Sequence, residues 1–502
     1  MAVNLVIAEK PSVAQSIAKV LGCTVRRDGY LEGGKGAGDG IPGSFPKGEF
    51  LVSWCVGHLV ELAQPQEYDE KYGRWRKEDL PIFPREWKYE VTEATKKQFQ
   101  VLKELMKRDD ITQVINACDA GREGELIFRL VYEKAGCKKK MKRLWISSME
   151  DEAILKGFAS LADGEAYDKL YQAALCRERA DWIVGINATR LFSTTYGQTL
   201  SVGRVMTPTL ALAVEREARI RAFRPEDVFT AELQTECGTL SSGKHKDRME
   251  TEEILKGCLA DGSLIVTKAE QKERQEKAPA LFDLTSLQRE ANRKLGYTAQ
   301  QTLDYTQSLY EKKLVSYPRT DSKYLTEDME EGLPDLIQKA EQVTNLKATE
   351  NRCFKSVING KKVTDHHAII LTASVLKGNL EELPRGEREV LKMIAARLLE
   401  AVSSPCIYAE AVLEARRSEE TFSSKGKNVI DPGWKAITPD TEKSEDNKEC
   451  RINIPNGLKE GDGLEILSGE VKAGKTTPPK SYTDVIHFES RQWKYSKCKG
   501  AG

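Results

Sequence analysis

The strongest constraint on the fold of this chain is a strand, acid, turn and helix pattern that occurs twice before residue 136. Residues 4–8 form an apolar run that ends at Glu9, and a helical pattern with proline near its start follows. Residues 113–118 form a second apolar run, which ends at Asp119 and precedes a helical pattern over residues 124–135. This alternation of strands and helices predicts an α/β domain with a parallel sheet.

Acidic residues follow both predicted strands at their carboxyl ends. Such ends share one edge of a doubly wound sheet, where ligands bind, so we expect these acids to converge. They are Glu9, Asp119, Glu123 and, as a further candidate, Glu125. Carboxylates that converge without histidine or cysteine suit a hard cation such as Mg²⁺, which commonly bridges to phosphate. Lys10 and Arg122 beside them are candidate phosphate ligands. In the alternative interpretation, the acids of residues 119–125 only complement the dipole of a helix N-terminus.

A tyrosine and an arginine occur two residues apart in the segment Ser316-Tyr317-Pro318-Arg319. Pro318 favours an extended conformation for Tyr317, and in an extended segment residues i and i+2 share a face. A phenol with an ordinary pKa of about 10 needs a fixed cation before it can act as a nucleophile, and a planar guanidinium also suits phosphate. Alternatively, Tyr317 is a half-buried structural tyrosine of an edge strand.

Helix signals mark two further segments. Thr207 and Pro208 predict an N-cap and a first helical residue directly after Arg204, and an exposed helix N-terminus beside an arginine is a ready phosphate site. Two capping boxes predict a pair of helices before the tyrosine segment, and Gly296 ends the first of these helices. The boxes are Thr285 with Gln288 and Thr298 with Gln301.

Five motifs, in the same order, resemble those of type IA DNA topoisomerases, most closely of the topoisomerase III branch. They are residues 9–12 (EKPS), 118–125 (CDAGREGE), 201–209 (SVGRVMTPT), 316–322 (SYPRTDS) and 365–370 (DHHAII). The resemblance extends from residue 3 to residue 482. It implies a multidomain fold of α/β, α and β parts arranged as a toroid.

The domain boundaries are expected as follows. A Toprim domain with a Rossmann-like parallel sheet takes residues 1–150, and a helical DNA-binding segment takes residues 151–217. A β-rich arch in two pieces takes residues 218–280 and 406–480, and a helix-turn-helix-like domain with the catalytic tyrosine lies between them at residues 281–405. A divergent short tail covers residues 481–502.

The resemblance also implies a reaction and its residues. Tyr317 matches the tyrosine that forms a covalent link to a 5′ DNA phosphate, and Arg319, Glu9, Lys10 and His366 match residues around that phosphate. Mg²⁺ is expected on Glu9, Asp119 and Glu123, and single-stranded DNA on Arg204, Arg122, Arg179 and Thr207. The implied activity is ATP-independent cleavage, strand passage and religation, which relaxes negative supercoils or decatenates DNA.

The sequence departs from the family pattern in two places. Gly121 occupies a position where the family usually has a second aspartate, so metal binding is expected to rest on the remaining acids. After residue 484 the family continues through further helices, whereas this chain reads a divergent segment to residue 502, as in a member shortened at the C-terminus. Two alternatives therefore stay open: a Toprim nuclease or primase that does not use Tyr317, and a non-catalytic protein that binds single-stranded DNA.

Composition limits the partners and the compartment. The 77 basic and 77 acidic residues give a net charge of zero, so DNA binding must come from local surfaces. No apolar run approaches the roughly 20 residues of a membrane span, and residues 1–8 lack the features of a signal peptide, so a cytoplasmic protein without a membrane partner is expected.

Two sequences match nucleotide-binding patterns by chance. Residues 38–43 (GDGIPG) satisfy a dinucleotide fingerprint, but the internal proline prevents a helix from beginning there. Residues 469–476 (GEVKAGKT) satisfy the P-loop pattern, but a threonine and two prolines follow directly, which disfavours the helix that a P-loop requires. We therefore expect no ATP site. The polar tract at residues 439–449 is expected to be a mobile loop.

Overall fold

The structure is a computed structural model that describes residues 2–34, 45–147, 149–363, 366–377, 379–438, 454–455 and 457–482. Several predictions fall outside these residues: the fingerprint at residues 38–43, the tract at residues 439–449, Asp365, and the tail beyond residue 482.

Strands of the described residues are numbered in chain order. They are β1 (Val3–Ala8), β2 (Val25–Arg27), β3 (Tyr30–Gly33), β4 (Glu49–Trp54), β5 (Val60–Leu62), β6 (Tyr89–Val91), β7 (Ile111–Ala117), β8 (Lys140–Arg143), β9 (Ala162–Asp163), β10 (Asp227–Thr235), β11 (Gly238–Ser241), β12 (Ser263–Glu276), β13 (Cys406–Arg417), β14 (Glu420–Asp431) and β15 (Gly463–Lys475).

The α-helices are numbered in the same way. They are α1 (Pro11–Val20), α2 (Lys96–Lys107), α3 (Arg122–Lys134), α4 (Asp151–Ala159), α5 (Asp168–Tyr196), α6 (Met206–Ala222), α7 (Arg248–Asp261), α8 (Leu284–Leu295), α9 (Ala299–Glu311), α10 (Leu333–Thr344) and α11 (Arg385–Ala401).

The chain divides into two compact units. The first comprises Met1–Leu212, Phe282–Lys323 and Gly360–Leu391, and the second comprises Ala213–Leu281, Tyr324–Asn359 and Lys392–Gly502. Each unit is thus built from segments that are distant in sequence. The finer division at residues 150, 217, 280 and 405 stays a prediction.

The first unit contains a seven-stranded sheet in the order β2-β3-β4-β1-β7-β8-β9. Its central strands β4, β1, β7 and β8 are parallel, as the sequence pattern predicts, and the outer strands are antiparallel. Apolar side chains of the central strands are buried against α2 and α3, with Leu5, Val114 and Leu130 in one core. Because β1 and β7 are parallel neighbours, the residues that follow them, Glu9 and Asp119, emerge at the same edge.

The second unit contains a closed barrel in the order β10-β11-β14-β13-β12-β15. Its strands come from both predicted β-rich pieces, and α7, which the sequence did not predict, lies within the first piece. The P-loop-like residues 469–476 fall largely in β15, which pairs with β10 and β12. No helix begins there, so the rejection of a P-loop is confirmed.

Helix capping was predicted correctly at one of two sites in the helix pair that precedes the tyrosine segment. Thr298 and Gln301 form the capping box of α9, and Gly296 ends α8 with φ of 70°, as expected. The other predicted box, Thr285 with Gln288, is wrong. Asp283 caps α8 together with Ser286, because its carboxylate accepts from the Ser286 N–H while the Ser286 hydroxyl accepts from the Asp283 N–H.

The multidomain prediction of α/β, α and β parts is confirmed. Within the described residues, every helix is too short or too polar to cross a membrane.

Candidate active site

A cleft of about 620 Å³ lies in the first unit, at the edge where β1 and β7 end. Side chains from three distant parts of the sequence line it, because the first unit joins the parallel sheet to the segments around Tyr317 and His366. Of the predicted site residues, the cleft collects Glu9, Lys10, Asp119, Arg122, Glu123, Tyr317, Arg319 and His366.

Two carboxyl groups meet in this cleft. Burial, and after it the charge of Asp119, raises the pKa of Glu9 to about 7. Burial likewise raises the pKa of Asp119. The Glu9 Oε2 atom is buried and has no hydrogen-bond partner among the described residues. A buried and unpartnered carboxylate oxygen costs free energy, so this pair is suited to receive a cation or a polar substrate group.

A glycine allows the loop that carries Asp119 to approach α3 closely. A Cβ atom on Gly124 would lie 2.2 Å from the Asp119 carbonyl oxygen, so a side chain there would displace the loop that carries the Asp119 carboxylate. Gly121, which replaces the second aspartate of the family pattern, has φ of 173° and ψ of 176°, an extended conformation open to any residue. A Cβ atom on Gly121 would meet nothing within 4 Å.

The Tyr317 phenol reaches the carboxylate pair. Its Oη donates a hydrogen bond to Asp119 Oδ2 at 3.0 Å, and the residue is only 7% exposed. Its ring lies edge-on to Tyr310 at a centroid distance of 5.3 Å and against His366 at 4.3 Å. Burial raises the pKa of the Tyr317 phenol, and the charges of Asp119 and Glu9 raise it further. The phenol is therefore protonated in this arrangement.

Backbone hydrogen bonds hold the tyrosine segment in its extended conformation. The Ser316 N–H donates to the Ile370 carbonyl at 2.9 Å, and the Ser316 hydroxyl donates to the Ala368 carbonyl at 3.0 Å. Val315 forms an isolated bridge with Leu371. Residues 315 and 316 are thus anchored immediately before Tyr317, and Pro318 cannot continue a helix after it.

His366 is buried and bonded through both ring nitrogens. Its Nε2 donates to the Ala120 carbonyl at 2.5 Å, since a carbonyl oxygen can only accept, and its Nδ1 lies 3.0 Å from Ser147 Oγ. The Ser147 carbonyl in turn accepts from the Tyr317 N–H at 3.3 Å. His366 and Ser147 therefore join the tyrosine segment to the loop that carries Asp119. A proton relay through His366 at the phosphate stays a prediction.

The predicted cations lie around the carboxylate pair. Lys10 Nζ is 3.9 Å from Glu311 Oε1, and the Arg122 and Arg319 side chains are exposed. The positive charges of Lys10 and Arg319 act against the burial that raises the pKa of both carboxyl groups. Tyr317 and Arg319 line the same cleft, as an extended segment predicts for residues two apart.

Glu123 lies at the margin of the cleft with other partners. Its Oε1 is 3.3 Å from Arg177 Nη1 and its Oε2 is 3.9 Å from His58 Nε2. In the described part of the chain, no three His, Cys, Asp or Glu side chains are grouped as one metal ion would require. A metal site on Glu9, Asp119 and Glu123 together stays a prediction, for which Glu123 would have to leave Arg177.

Glu125 does not reach the cleft, unlike the sequence-based expectation. Its carboxylate is 1% exposed and pairs with Arg129 at 2.9 Å and with Arg143 at 3.1 Å. It points into the sheet side of α3, where the Asn116 side chain also donates to it at 2.9 Å. Glu125 is therefore a buried structural residue.

Arg143 is a supporting residue that sequence reasoning missed. It is fully buried, and its guanidinium donates to the carbonyls of Cys118 at 2.7 Å and of Asp119 at 2.7 Å. It thereby fixes the backbone at the end of β7. In the sequence it is one member of the basic run at residues 138–143, and nothing in that run distinguishes the buried residue from the exposed ones.

Arg204 and Arg179, predicted to bind DNA, are engaged with protein side chains. Arg204 pairs with Asp181 through two hydrogen bonds of 2.6 and 3.1 Å. The Arg179 Nε donates to Tyr89 Oη at 3.4 Å, and its guanidinium lies 5.4 Å from the centre of the Trp87 ring. Arg204 is 46% exposed, whereas Arg179 packs on an aromatic ring and is half-buried.

Thr207 lies within the first turn of α6 and not at its N-cap. The helix begins at Met206, and the Thr207 N–H already donates to the Gly203 carbonyl at 3.1 Å. The Thr207 hydroxyl accepts from the Gly203 N–H at 3.0 Å. The predicted N-cap was therefore wrong by more than one residue, although the hydroxyl does satisfy a backbone donor at this helix end.

Comparisons with known proteins show the family of this chain. Residues 4–149 match the Toprim domain family, and residues 165–485 match a family described as DNA topoisomerase. DNA topoisomerase 3 of Bacillus subtilis is 39% identical over 498 residues, which cover 96% of this chain and 66% of that protein. DNA topoisomerase 3 of a Bacillus cereus strain is 37% identical over 503 residues, which cover 97% of this chain and 66% of that protein.

A solved structure shares the fold. Full-length topoisomerase I from Thermotoga maritima superposes with a TM-score of 0.69 at 21% identity, over 97% of this chain and 75% of that chain. The chain thus spans 66% of the length of the curated Bacillus relatives that it matches.

Proposed function

This chain belongs to the type IA DNA topoisomerase family, in its topoisomerase III-like branch, and from that premise we propose that it cleaves and rejoins single-stranded DNA through Tyr317. One observation carries the proposal: the Tyr317 Oη lies 3.0 Å from Asp119 in a cleft that also contains Glu9, Lys10 and Arg319. A nucleophile, an acid and cations thus share a space large enough for a phosphodiester.

The cleavage step is an in-line exchange of ester bonds. The Tyr317 oxygen forms a bond to phosphorus while the bond from phosphorus to the 3′ oxygen breaks, and the phenol proton leaves along the hydrogen bond to Asp119. Lys10 and Arg319 stabilise the negative charge that builds up on the phosphate. Religation reverses these steps.

Glu9 is proposed to protonate the leaving 3′ oxygen. Its pKa of about 7, raised by burial and then by the Asp119 charge, lets it carry a proton near neutral pH and release it again during religation. An acid of ordinary pKa would be ionised at that pH and could not donate. The phosphate must reach the Tyr317 oxygen while the phenol still donates to Asp119, because the buried phenol is protonated in that hydrogen bond and Asp119 is the group that takes its proton.

Mg²⁺ is the proposed cofactor. Glu9 and Asp119 fit a hard cation, since both are partly buried oxygen donors and Glu9 Oε2 has no partner among the described residues. When bound, the ion supplies positive charge beside the phosphate and the 3′ end. Glu123 is the third proposed ligand.

No ATP is required in this proposal, because the phosphotyrosine ester conserves the free energy of the phosphodiester that it replaces. The proposed substrate is single-stranded or negatively supercoiled DNA, and the proposed location of the protein is the cytoplasm. We propose that the protein relaxes negatively supercoiled DNA or decatenates DNA.

A cleavage assay on end-labelled oligonucleotides tests the proposal. We expect a covalent adduct on the 5′ phosphate of the cut strand with Mg²⁺ and without ATP, and no adduct with Tyr317→Phe. Tyr310→Phe is the matched control, since it removes a hydroxyl from the neighbouring ring and leaves the ring contact in place. An adduct in Tyr317→Phe would refute the assignment of Tyr317, and cleavage without any adduct would favour a Toprim nuclease. Binding without cleavage in the wild type would favour a non-catalytic protein.

A further inference from the structure

A row of alternating charges runs along α5 in the first unit. Glu123 contacts Arg177 at 3.3 Å, Arg177 approaches Asp181 at 4.0 Å, and Asp181 holds Arg204 through two hydrogen bonds. We call these residues the charge row: Glu123, Arg177, Asp181 and Arg204. Its two acids and two bases cancel one another.

The charge row connects two clefts. Glu123 lines the cleft that contains Tyr317, and Asp181 lines a second cleft of about 350 Å³ along α5. Trp75, which is 44% exposed, lines the second cleft. Exposed aromatic rings close to arginine side chains are typical of proteins that bind single strands. The row therefore follows the path that a strand would take between the two clefts.

A phosphate can replace the carboxylates that the arginines of the row bind. A guanidinium presents the same planar fork to a carboxylate as to a phosphate, and Asp181 occupies that fork of Arg204 with both oxygens. All four side chains are between 38% and 56% exposed. Exposed ion pairs of this kind contribute little stability, so exchange of one anion for another is inexpensive.

We infer that two acids of the charge row, Glu123 and Asp181, hold the places of DNA phosphates until a single strand displaces them. Arg177 and Arg204 are then the groups that bind the strand's phosphates. Arg177 and Asp181 are four residues apart on α5, a spacing typical of a structural ion pair, and the row gives both a role in binding. The inference rests on the proposed function and deepens it, because it names how the DNA-free protein keeps its strand-binding groups neutralised.

A salt titration of binding tests the inference. The measurement is fluorescence anisotropy of a fluorescein-labelled oligothymidylate in EDTA, with all variants in a Tyr317→Phe background so that no cleavage occurs. Asp181→Asn keeps the shape of the side chain and removes its charge. We expect it to bind the oligonucleotide severalfold more tightly at low salt. The slope of log K against log salt should be steeper by about 0.7, because the variant carries one more net positive charge along the bound strand.

Two further variants locate the effect. The double variant Asp181→Asn with Arg204→Gln should lose the gain, because the released guanidinium is absent. Glu104→Gln makes the same change of charge on the exposed face of α2, which lines neither cleft, and its salt slope should match that of the parent. Thermal unfolding of each variant shows that the fold is retained.

Equal or weaker binding by Asp181→Asn would overturn the inference and make Asp181 a positioning residue for Arg204. A gain that persists in the double variant would overturn it as well. The proposed function is judged by a different result: if the Tyr317→Phe parent does not bind the oligonucleotide at any salt concentration, single-stranded DNA is not the ligand and both conclusions fail.

Discussion

Glu9 shows how a single residue can destabilise the fold and still serve the proposed reaction. Its carboxyl is buried beside Asp119, and burial, followed by the Asp119 charge, raises its pKa from 4.5 to about 7. Between these two values the folded protein binds more protons than the unfolded chain. The stability that Glu9 contributes is therefore present at low pH and is lost as the pH rises through 7.

We expect Glu9→Gln to remove this pH dependence from the stability of the protein. The free energy of unfolding of the variant, relative to the wild type, should increase between pH 4.5 and pH 7, because glutamine has no charge to bury. The slope should not exceed about 1.4 kcal/mol per pH unit for one titrating group. Urea unfolding in EDTA across this range measures it. A difference that does not change with pH would contradict the assignment, and Glu104→Gln controls for removal of an exposed carboxylate.

At the scale of single residues, the sequence predicted the centre of the site and not its support. Glu9, Asp119 and Tyr317 could be identified from the sequence because each lies at the end of a recognisable strand or beside a proline. Arg143 and Ser147 were missed, since their roles depend on backbone carbonyls and on a ring that lie far away in sequence. Glu125 was misplaced because the helix pattern does not show which first-turn acid turns inward.

The connection between β7 and α3 is the element on which the site most depends. Asp119 is held from one side by Arg143, which binds its carbonyl, and approached from the other by Gly124. The two contacts leave little freedom for the carboxylate that accepts from Tyr317.

We expect Gly124→Ala to disrupt this connection. The added Cβ would lie 2.2 Å from the Asp119 carbonyl oxygen, so the loop must shift. A loss of stability of about 1–3 kcal/mol is typical of such overpacking, and cleavage should fall with it. Thermal unfolding and the oligonucleotide cleavage assay measure both effects.

Gly121→Ala is the matched control for Gly124→Ala. It adds the same methyl group three residues earlier, where nothing lies within 4 Å and the backbone is extended. Its thermal unfolding should resemble that of the wild type. Equal losses for the two variants would show that the loop is intolerant in general and that close approach is not the cause.

Element boundaries were predictable where the cap is local. Thr298 with Gln301 is a reciprocal cap within four residues, and the structure confirms it. The α8 cap was misplaced because Asp283 and Ser286 form the same kind of box two residues earlier than Thr285 and Gln288, and both choices fit the pattern. The start of α6 was misplaced because the backbone bond to Gly203 extends the first turn.

At the scale of the molecule, the described surface exposes a group of large apolar side chains on two helices. Side chains of α5 and the first turns of α6 are exposed by 44% or more: Val184, Leu191, Phe192, Tyr196, Met206 and Leu210. Several of them recur at helical spacing, and Phe192 stacks on Tyr196 with ring centres 6.3 Å apart. Large apolar side chains that are exposed at helical spacing are candidates for a site of association.

We expect this surface to bind apolar probes in solution. The double variant Leu191→Ser with Phe192→Ser should reduce the fluorescence of a bound hydrophobic dye, while thermal unfolding stays close to that of the wild type because both side chains are already exposed. Leu467→Ser removes an exposed leucine from the barrel in the second unit and serves as the control. Dye binding that is equal in all three proteins would contradict the expectation.

The α/β sheet was predictable at this scale because its strands are apolar runs followed by helices in sequence. The barrel was harder. Its strands can be recognised singly, but β10 pairs with β15 across more than two hundred intervening residues, and residue pattern alone does not show that pairing. The two-piece arrangement came from the family resemblance.

The edges of the sheets have a consequence for how copies of this protein can associate. The barrel closes on itself, and within the described residues the outermost strands of the other sheets, β2, β9, β5 and β6, are at most three residues long. Strand addition from a neighbouring molecule needs a row of unpaired amides, and here that row is nearly absent. Amyloid-like strand addition is therefore disfavoured. Unwanted contacts between copies should instead form through side chains on helices, where polar residues can be substituted without a change in the hydrogen bonds between strands.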